Sequence, residues 1–288
     1  GSPARGTWNI VHTGMLVPEA HEIFVCAASC LRGVVLTAAE MDACDRFSTV
    51  EIRENNVLEG DMEDLIVEGV TDILNKLPYK PRAVLIYTPC IHHFIGCDLE
   101  LPFRELRKRF PDIDFTDCYM NPIMRKSGWT PDQLMRRQLY SLLKPLPPNE
   151  KSVNIIGNNV ETDASSDLVH FLTENGITVR DITTCQDYDA YLKMGESIVN
   201  VSYHPFMKPG GDVLAERLGR PHLYLPLCYG TDEIRQHMRT LAQTLSLTYE
   251  PDAALEQRAE DALSEAKRVI GDTPIAVDYS ATMRPLGL

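Results

Sequence analysis

Arg82-Ala83-Val84-Leu85-Ile86-Tyr87-Thr88-Pro89-Cys90 carries the pattern from which the architecture follows. A continuous apolar run without polar alternation is the pattern of a parallel strand covered on both faces, and Thr88-Pro89 ends it. Cys90 therefore stands just past a strand's carboxyl end. In open α/β sheets that edge binds ligands, because loops and helix N-termini converge there. Upstream, Met62, Leu65, Ile66, Val70, Ile73, Leu74 and Leu77 recur at helical spacing, with Asp61 as an N-cap and Pro78 as a stop. Farther upstream, His21-Glu22-Ile23-Phe24-Val25 reads as a buried strand entering a loop that carries Cys26 and Cys30.

The alternation continues downstream, with helices expected over 101–110 and 131–143 and a strand over 113–116. Lys144-Pro145-Leu146-Pro147-Pro148 interrupts it and marks a domain boundary. The second half restarts with strands over 153–156, 177–180, 197–201 and 223–227, and helices over 166–174, 212–218 and 232–245, Gly176 fitting a helix C′ position. A long helix follows over 253–270, then a short strand over 274–277 and the start of a further element at Ala281-Thr282-Met283. The expected architecture is α/β, with two Rossmann-like domains of parallel strands flanked by helices. Residues 3–146 form the first domain, 150–250 the second, and 251–288 a linker helix with the start of another domain. Gly1-Ser2 reads as the remnant of a cleaved tag, and the chain is expected to stop short of a further domain.

A formal charge of −13 over 288 residues argues against nucleic acid, since no basic stripe interleaved with aromatics provides a local exception. No apolar run is long enough to span a bilayer, and no basic-then-apolar leader opens the chain, so a cytoplasmic location without membrane contact is expected. In that reducing setting the eight cysteines should be thiols or metal ligands rather than disulfides. Five fall in the first hundred residues. The Cys26-Ala27-Ala28-Ser29-Cys30 pair has Gly33 where a radical-SAM motif needs its third cysteine, and paired CxxC knuckles for structural zinc are absent. Thiols from distant segments suit an iron-sulfur cluster better, because such clusters accept cysteines from loops of different strands. Cys118, Cys185 and Cys228 have no companion in sequence and default to core thiols. The turn Asn154-Ile155-Ile156-Gly157-Asn158-Asn159 has too few glycines for a dinucleotide fingerprint.

The segment Cys26-Ala27-Ala28-Ser29-Cys30-Leu31-Arg32-Gly33-Val34-Val35 resembles the surroundings of the first cluster cysteine in nitrogenase component 1 proteins. Ile86-Tyr87-Thr88-Pro89-Cys90, running on to Ile95-Gly96-Cys97-Asp98, is similar to the second cysteine hallmark of that family. Glu54-Asn55-Asn56-Val57-Leu58-Glu59-Gly60-Asp61 lies between them in the expected order, and Gly230-Thr231-Asp232-Glu233-Ile234-Arg235 resembles a glycine turn of the second domain. The resemblance implies three Rossmann-like domains per subunit, of which this chain holds about two. It also implies an oxidoreductase that binds a cluster, of 4Fe-4S type, near a subunit interface. The partners it implies are an identical or different nitrogenase component 1-like subunit and an ATP-dependent iron-sulfur reductase that delivers low-potential electrons.

On this reading Cys26 and Cys90 are cluster ligands, with Cys44 or Cys30 as a third. The family's His-Gly-Pro-x-x-Cys step has here only Ala38-Ala39-Glu40-Met41-Asp42-Ala43-Cys44 in its place, whereas Cys30 lies four residues from Cys26. His92 and His93 follow Cys90 directly and could hydrogen-bond cluster sulfur or deliver protons, and Cys97 is either an extra ligand or a buried thiol. His204 could ligate a metal or move protons. The stretch Asn200-Val201-Ser202-Tyr203-His204-Pro205 lacks the cysteine that holds the catalytic cofactor in true nitrogenases, which argues against nitrogen fixation. Two other functions share the architecture: a scaffold that receives and hands on a metallocluster, and a small-molecule binding module whose cysteines are all structural.

Overall fold

The computed structural model describes residues 10–120 and 128–276. In chain order the elements are α1 (Ile10–Gly14), β1 (Ala20–Ala27), α2 (Ala28–Glu40), β2 (Phe47–Ile52), α3 (Glu54–Glu59), α4 (Met62–Lys76), β3 (Ala83–Pro89) and α5 (Cys90–Phe94). They continue with α6 (Glu100–Arg109), β4 (Asp114–Met120), α7 (Pro131–Leu139), β5 (Asn149–Ile155), α8 (Asp167–Glu174), β6 (Thr178–Asp181), α9 (Tyr188–Leu192) and β7 (Ser197–Ser202). The last four are α10 (Lys208–Leu218), β8 (His222–Tyr224), α11 (Thr231–Thr244) and α12 (Ala253–Ile270). One sheet has the order β2-β1-β3-β4 and the other β6-β5-β7-β8. The paired strands of the first sheet all run parallel, as does β5 with β6 and β7.

Every residue of β3 is buried. Because side chains alternate across a strand, Leu85 and Tyr87 enter one hydrophobic cluster with Phe24 and Cys26, while Val84 and Ile86 enter another with Ile23 and Val25. The second cluster lies under α4 and α6, where Ile66, Val70, Phe103 and Leu106 each contribute about 1.5–3 kcal/mol of burial. The first extends through Tyr140, Ile156, Tyr191, Met207 and Leu214 into the second half of the chain. Residues 1–222 accordingly form one compact unit containing the first sheet, the proline segment and β5 to β7. Residues 223–288 form another unit, within which Arg235 grips the Glu256 carboxylate with Nε at 2.7 Å and Nη2 at 2.6 Å, tying α11 to α12. No residue of α12 is buried.

Most expected elements are present with ends shifted by a few residues. Asp61 begins α4 without a side-chain capping bond, because its carboxylate accepts instead from Asn56 Nδ2 at 3.2 Å. Cys26 lies inside β1 rather than in the loop after it. The strand expected over 274–277 is not formed at Pro274, Ile275 and Ala276, which have no regular structure. Val277, Ala281-Thr282-Met283 and Gly1-Ser2 lie outside the described residues.

Candidate functional site

In the order β2-β1-β3-β4 the chain leaves β1 towards one side of the sheet, while β3 lies on the other. The connections after β1 and β3 diverge, which opens a crevice at their carboxyl ends, the topological switch point. Cys26 is the penultimate residue of β1, and Cys90 immediately follows β3. The register pairs Phe24 with Tyr87, so two residues further on Cys26 is level with Pro89. Cys30 is the third residue of α2, whose N-cap, Ala27, offers no side-chain acceptor to the first turn. Cys26 is fully buried, while Cys30 and Cys90 are partly exposed.

Burial drives the Cys26 thiol well above its ordinary range, and both Cys30 and Cys90 are close enough to push it further in the same direction. Its Sγ lies 3.8 Å from Met120 Sδ at the end of β4, where Met120 pairs with Pro89. Three thiols and a thioether thus gather at one end of the first sheet. Met120 was not legible as a member of this group, because only the β3-β4 register brings it level with the cysteines. Cys44 is placed apart from this group. It lies in a short turn ahead of β2, which enters the sheet beside Glu22, whereas Cys26 pairs with Glu51. At about 3.3 Å per residue, Cys44 is on the order of 20 Å away at the opposite edge.

A profile described as "Nitrogenase component 1 type Oxidoreductase" matches residues 13–285. The chain belongs to this family.

Among solved structures, one described as "Nitrogenase Cp1 at pH 6.5" superposes with a TM-score of 0.67 at 15% identity, covering 93% of this chain and 64% of that one. A second, "Nitrogenase Cp1 at pH 5", gives 0.59 at 14% identity, covering 91% of this chain and 55% of the other. At these identities the likeness is one of fold, and the chain spans less than two thirds of either. No curated protein matches by sequence.

The remaining residues anticipated at this family's cluster site have separate surroundings. His92 is buried, and neither ring nitrogen has a hydrogen bond of ordinary geometry among the described residues. Burial lowers it to about 4, against the opposing pull of the Pro89 carbonyl and Glu63. His93 is exposed. Cys97 is partly buried against the α4–α6 side of the core and is pushed up to about 11 by burial and by Glu63. His92, His93 and Cys97 share a cavity of about 270 Å³ with Thr88, Leu99 and Tyr119.

The second sheet has its own switch point, between β5 and β7. Gly157 follows β5 with φ of +89°, and a Cβ there would lie 2.5 Å from Met207, so both backbone and space require glycine. Arg136, from α7, fills this crevice. It is buried, donates to the carbonyls of Gly157 at 3.1 Å and Asn158 at 3.3 Å and to the Asn159 side chain, and lies 4.8 Å over the Phe206 ring. His204 stacks on the same ring at 5.0 Å, and burial together with Arg136 lowers it to about 4. His204 therefore belongs to the second sheet's edge, apart from the cysteines of the first.

Cys26, Cys30 and Cys90 suit an iron-sulfur cluster in donor softness and in their apolar surroundings. They number three, where full thiolate ligation takes four. Among the described residues no three His, Cys, Asp or Glu side chains converge on a single metal ion. A cluster presents several irons and accepts a wider spacing than a single ion does.

Proposed function

We propose that the chain is a nitrogenase component 1-like oxidoreductase subunit in which Cys26, Cys30 and Cys90 hold part of an iron-sulfur cluster, of 4Fe-4S type, at the switch point between β1 and β3. The observation that carries this reading is the meeting of three thiols from separate segments at the edge where such sheets bind ligands. A bound cluster supplies one-electron transfer at low potential. The protein's part is to present the thiolates, to surround Cys26 with apolar core, and to limit access of water. Cys30 stands in the first turn of α2, whose backbone N–H groups are uncapped by any side chain.

The elements around the crevice also expose apolar residues: Val35 and Leu36 on α2, Leu58 on α3, and Phe94 and Ile95 at the end of α5. A surface of that kind next to an incomplete ligand set is suited to a second subunit, identical or different, that covers the cluster and supplies the missing ligand. Electrons would come from an ATP-dependent iron-sulfur reductase and pass to a substrate still to be identified.

The test is anaerobic reconstitution with iron and sulfide, followed by iron analysis and electron paramagnetic resonance after reduction. The wild-type protein and Cys44→Ala should load equally, while Cys26→Ala and Cys90→Ala should lose most of the iron and the signal. Equal loading of all four proteins would refute the assignment. Sustained reduction of a substrate with a reductase present separates this role from that of a scaffold, which would instead transfer its cluster to an acceptor.

A further inference from the structure

The helices α7 and α10 enclose a second cavity of about 230 Å³ that shares no lining residue with the cysteine crevice. Its walls include Arg137, Gln138 and Ser141 from the end of α7 and the residues just after it, Asp117 from β4, and Leu214 and Arg217 from α10. Two guanidinium groups therefore face one small space. Neither makes an ion pair among the described residues, in a chain whose acidic residues outnumber its Lys and Arg by 41 to 28. Arg217 is exposed at the rim, and Arg137 is half-buried.

Arg137 is already held in place. Its guanidinium lies 5.4 Å over the Trp129 ring, and its Nε donates to Gln138 Oε1 at 3.0 Å. Gln138 is itself fixed, since its Nε2 donates to Asp117 Oδ1 at 2.7 Å and to the Asp117 carbonyl. The one carboxylate in the wall is thereby engaged, accepting from Gln138 and from the Tyr119 hydroxyl. With Nε tied back, the two terminal amino groups of Arg137 remain as a planar fork, the arrangement that receives two oxygens of one oxyanion. Ser141 Oγ is committed to Thr116 and to the Gln138 carbonyl, and the Tyr140 hydroxyl accepts from the Gly157 N–H, so the charged donors of this space belong to the two arginines.

We propose that this cavity is a binding site for a small oxyanion, gripped by Arg137 and drawn in by Arg217. The volume lies below the ~300 Å³ at which sites for drug-sized ligands begin, which restricts the ligand to a phosphate group or a short carboxylic acid. Leu214 and Val213 provide an apolar wall against which a short carbon chain packs.

The experiment titrates the full chain with inorganic phosphate and, separately, with succinate, by calorimetry at low ionic strength. At least one probe is expected to bind saturably, and the tighter of the two identifies the ligand as phosphoryl or carboxylate. Arg137→Gln and Arg217→Gln should each weaken binding about tenfold, the loss expected for one charge-assisted contact. Arg137→Lys keeps the charge without the fork and should recover only part of the affinity. Circular dichroism melting of each variant separates loss of the site from loss of the fold. Absence of saturable binding of either probe to the folded wild-type protein would overturn the proposal, and so would binding indifferent to both glutamine substitutions.

Discussion

Glu22 lies inside β1 with no exposure to solvent, and replacing it with glutamine makes a sharp test of how the core handles charge. One carboxyl oxygen is 3.3 Å from the Tyr87 hydroxyl, and the other has no partner among the described residues. The Tyr87 hydroxyl has a single proton to donate, either to the nearer carboxyl oxygen or to the Ile10 carbonyl, 3.2 Å away. Burial raises the carboxyl well above its ordinary value of 4.5, and neither the Tyr87 hydrogen bond nor Arg46 offsets it. The folded chain thus keeps a proton that the unfolded chain releases above pH 4.5. Stability falls as pH rises from there towards the folded pKa, by about 1.4 kcal/mol per pH unit. Glu22→Gln removes that pH dependence and adds one buried N–H donor to satisfy, so the variant should start about 1–3 kcal/mol less stable at low pH and gain on the wild type as pH rises above 4.5. Urea unfolding of both proteins at half-unit steps from pH 5 to 8 measures it. The stability difference should widen in favour of the variant as pH rises. Parallel pH profiles would show that Glu22 is ionised in the folded protein and refute the reasoning.

His21 limits stability on the acid side, since burial, with Arg46 adding to it, lowers the imidazole to about 4 from 6.5. A depressed histidine contributes stability that is present above 6.5 and lost as pH falls towards 4, so His21→Gln should flatten that limb of the profile measured by the same urea series. Arg136→Ala should cost about 3–5 kcal/mol in urea unfolding, because it strands half-buried Asp132 and the acceptors at Gly157, Asn158 and Asn159; a loss below about 1 kcal/mol would show that the guanidinium is not the tie described. Thr130→Ala should cost about 1 kcal/mol by thermal melting, since Thr130 Oγ1 accepts from the Gln133 N–H at 3.2 Å and the Gln133 side chain reciprocates at 2.9 Å.

The class of fold was written in local patterns. Unbroken apolar strands such as Ala83–Pro89, separated by amphipathic helices such as Met62–Lys76, bury both faces of a sheet only if the strands run parallel with helices on either side. The sequence also placed Cys26 and Cys90 at strand ends, because a strand's terminus is marked locally, by the proline and the change of pattern that follow it. Which cysteine joins them was not local. Cys30 and Cys44 both follow Cys26 at short range, and only the entry of β2 beside Glu22 sends Cys44 to the opposite edge. Strand register likewise decided Met120, through its pairing with Pro89. The proline segment between the sheets reads as a boundary because proline breaks helices and strands, yet one hydrophobic cluster runs from Phe24 to Leu214 across it. Strand order, register and the course of a core are relations between residues distant in the chain. They are selected by the collective burial of apolar surface, which depends on the whole packed structure and leaves no mark at any single position.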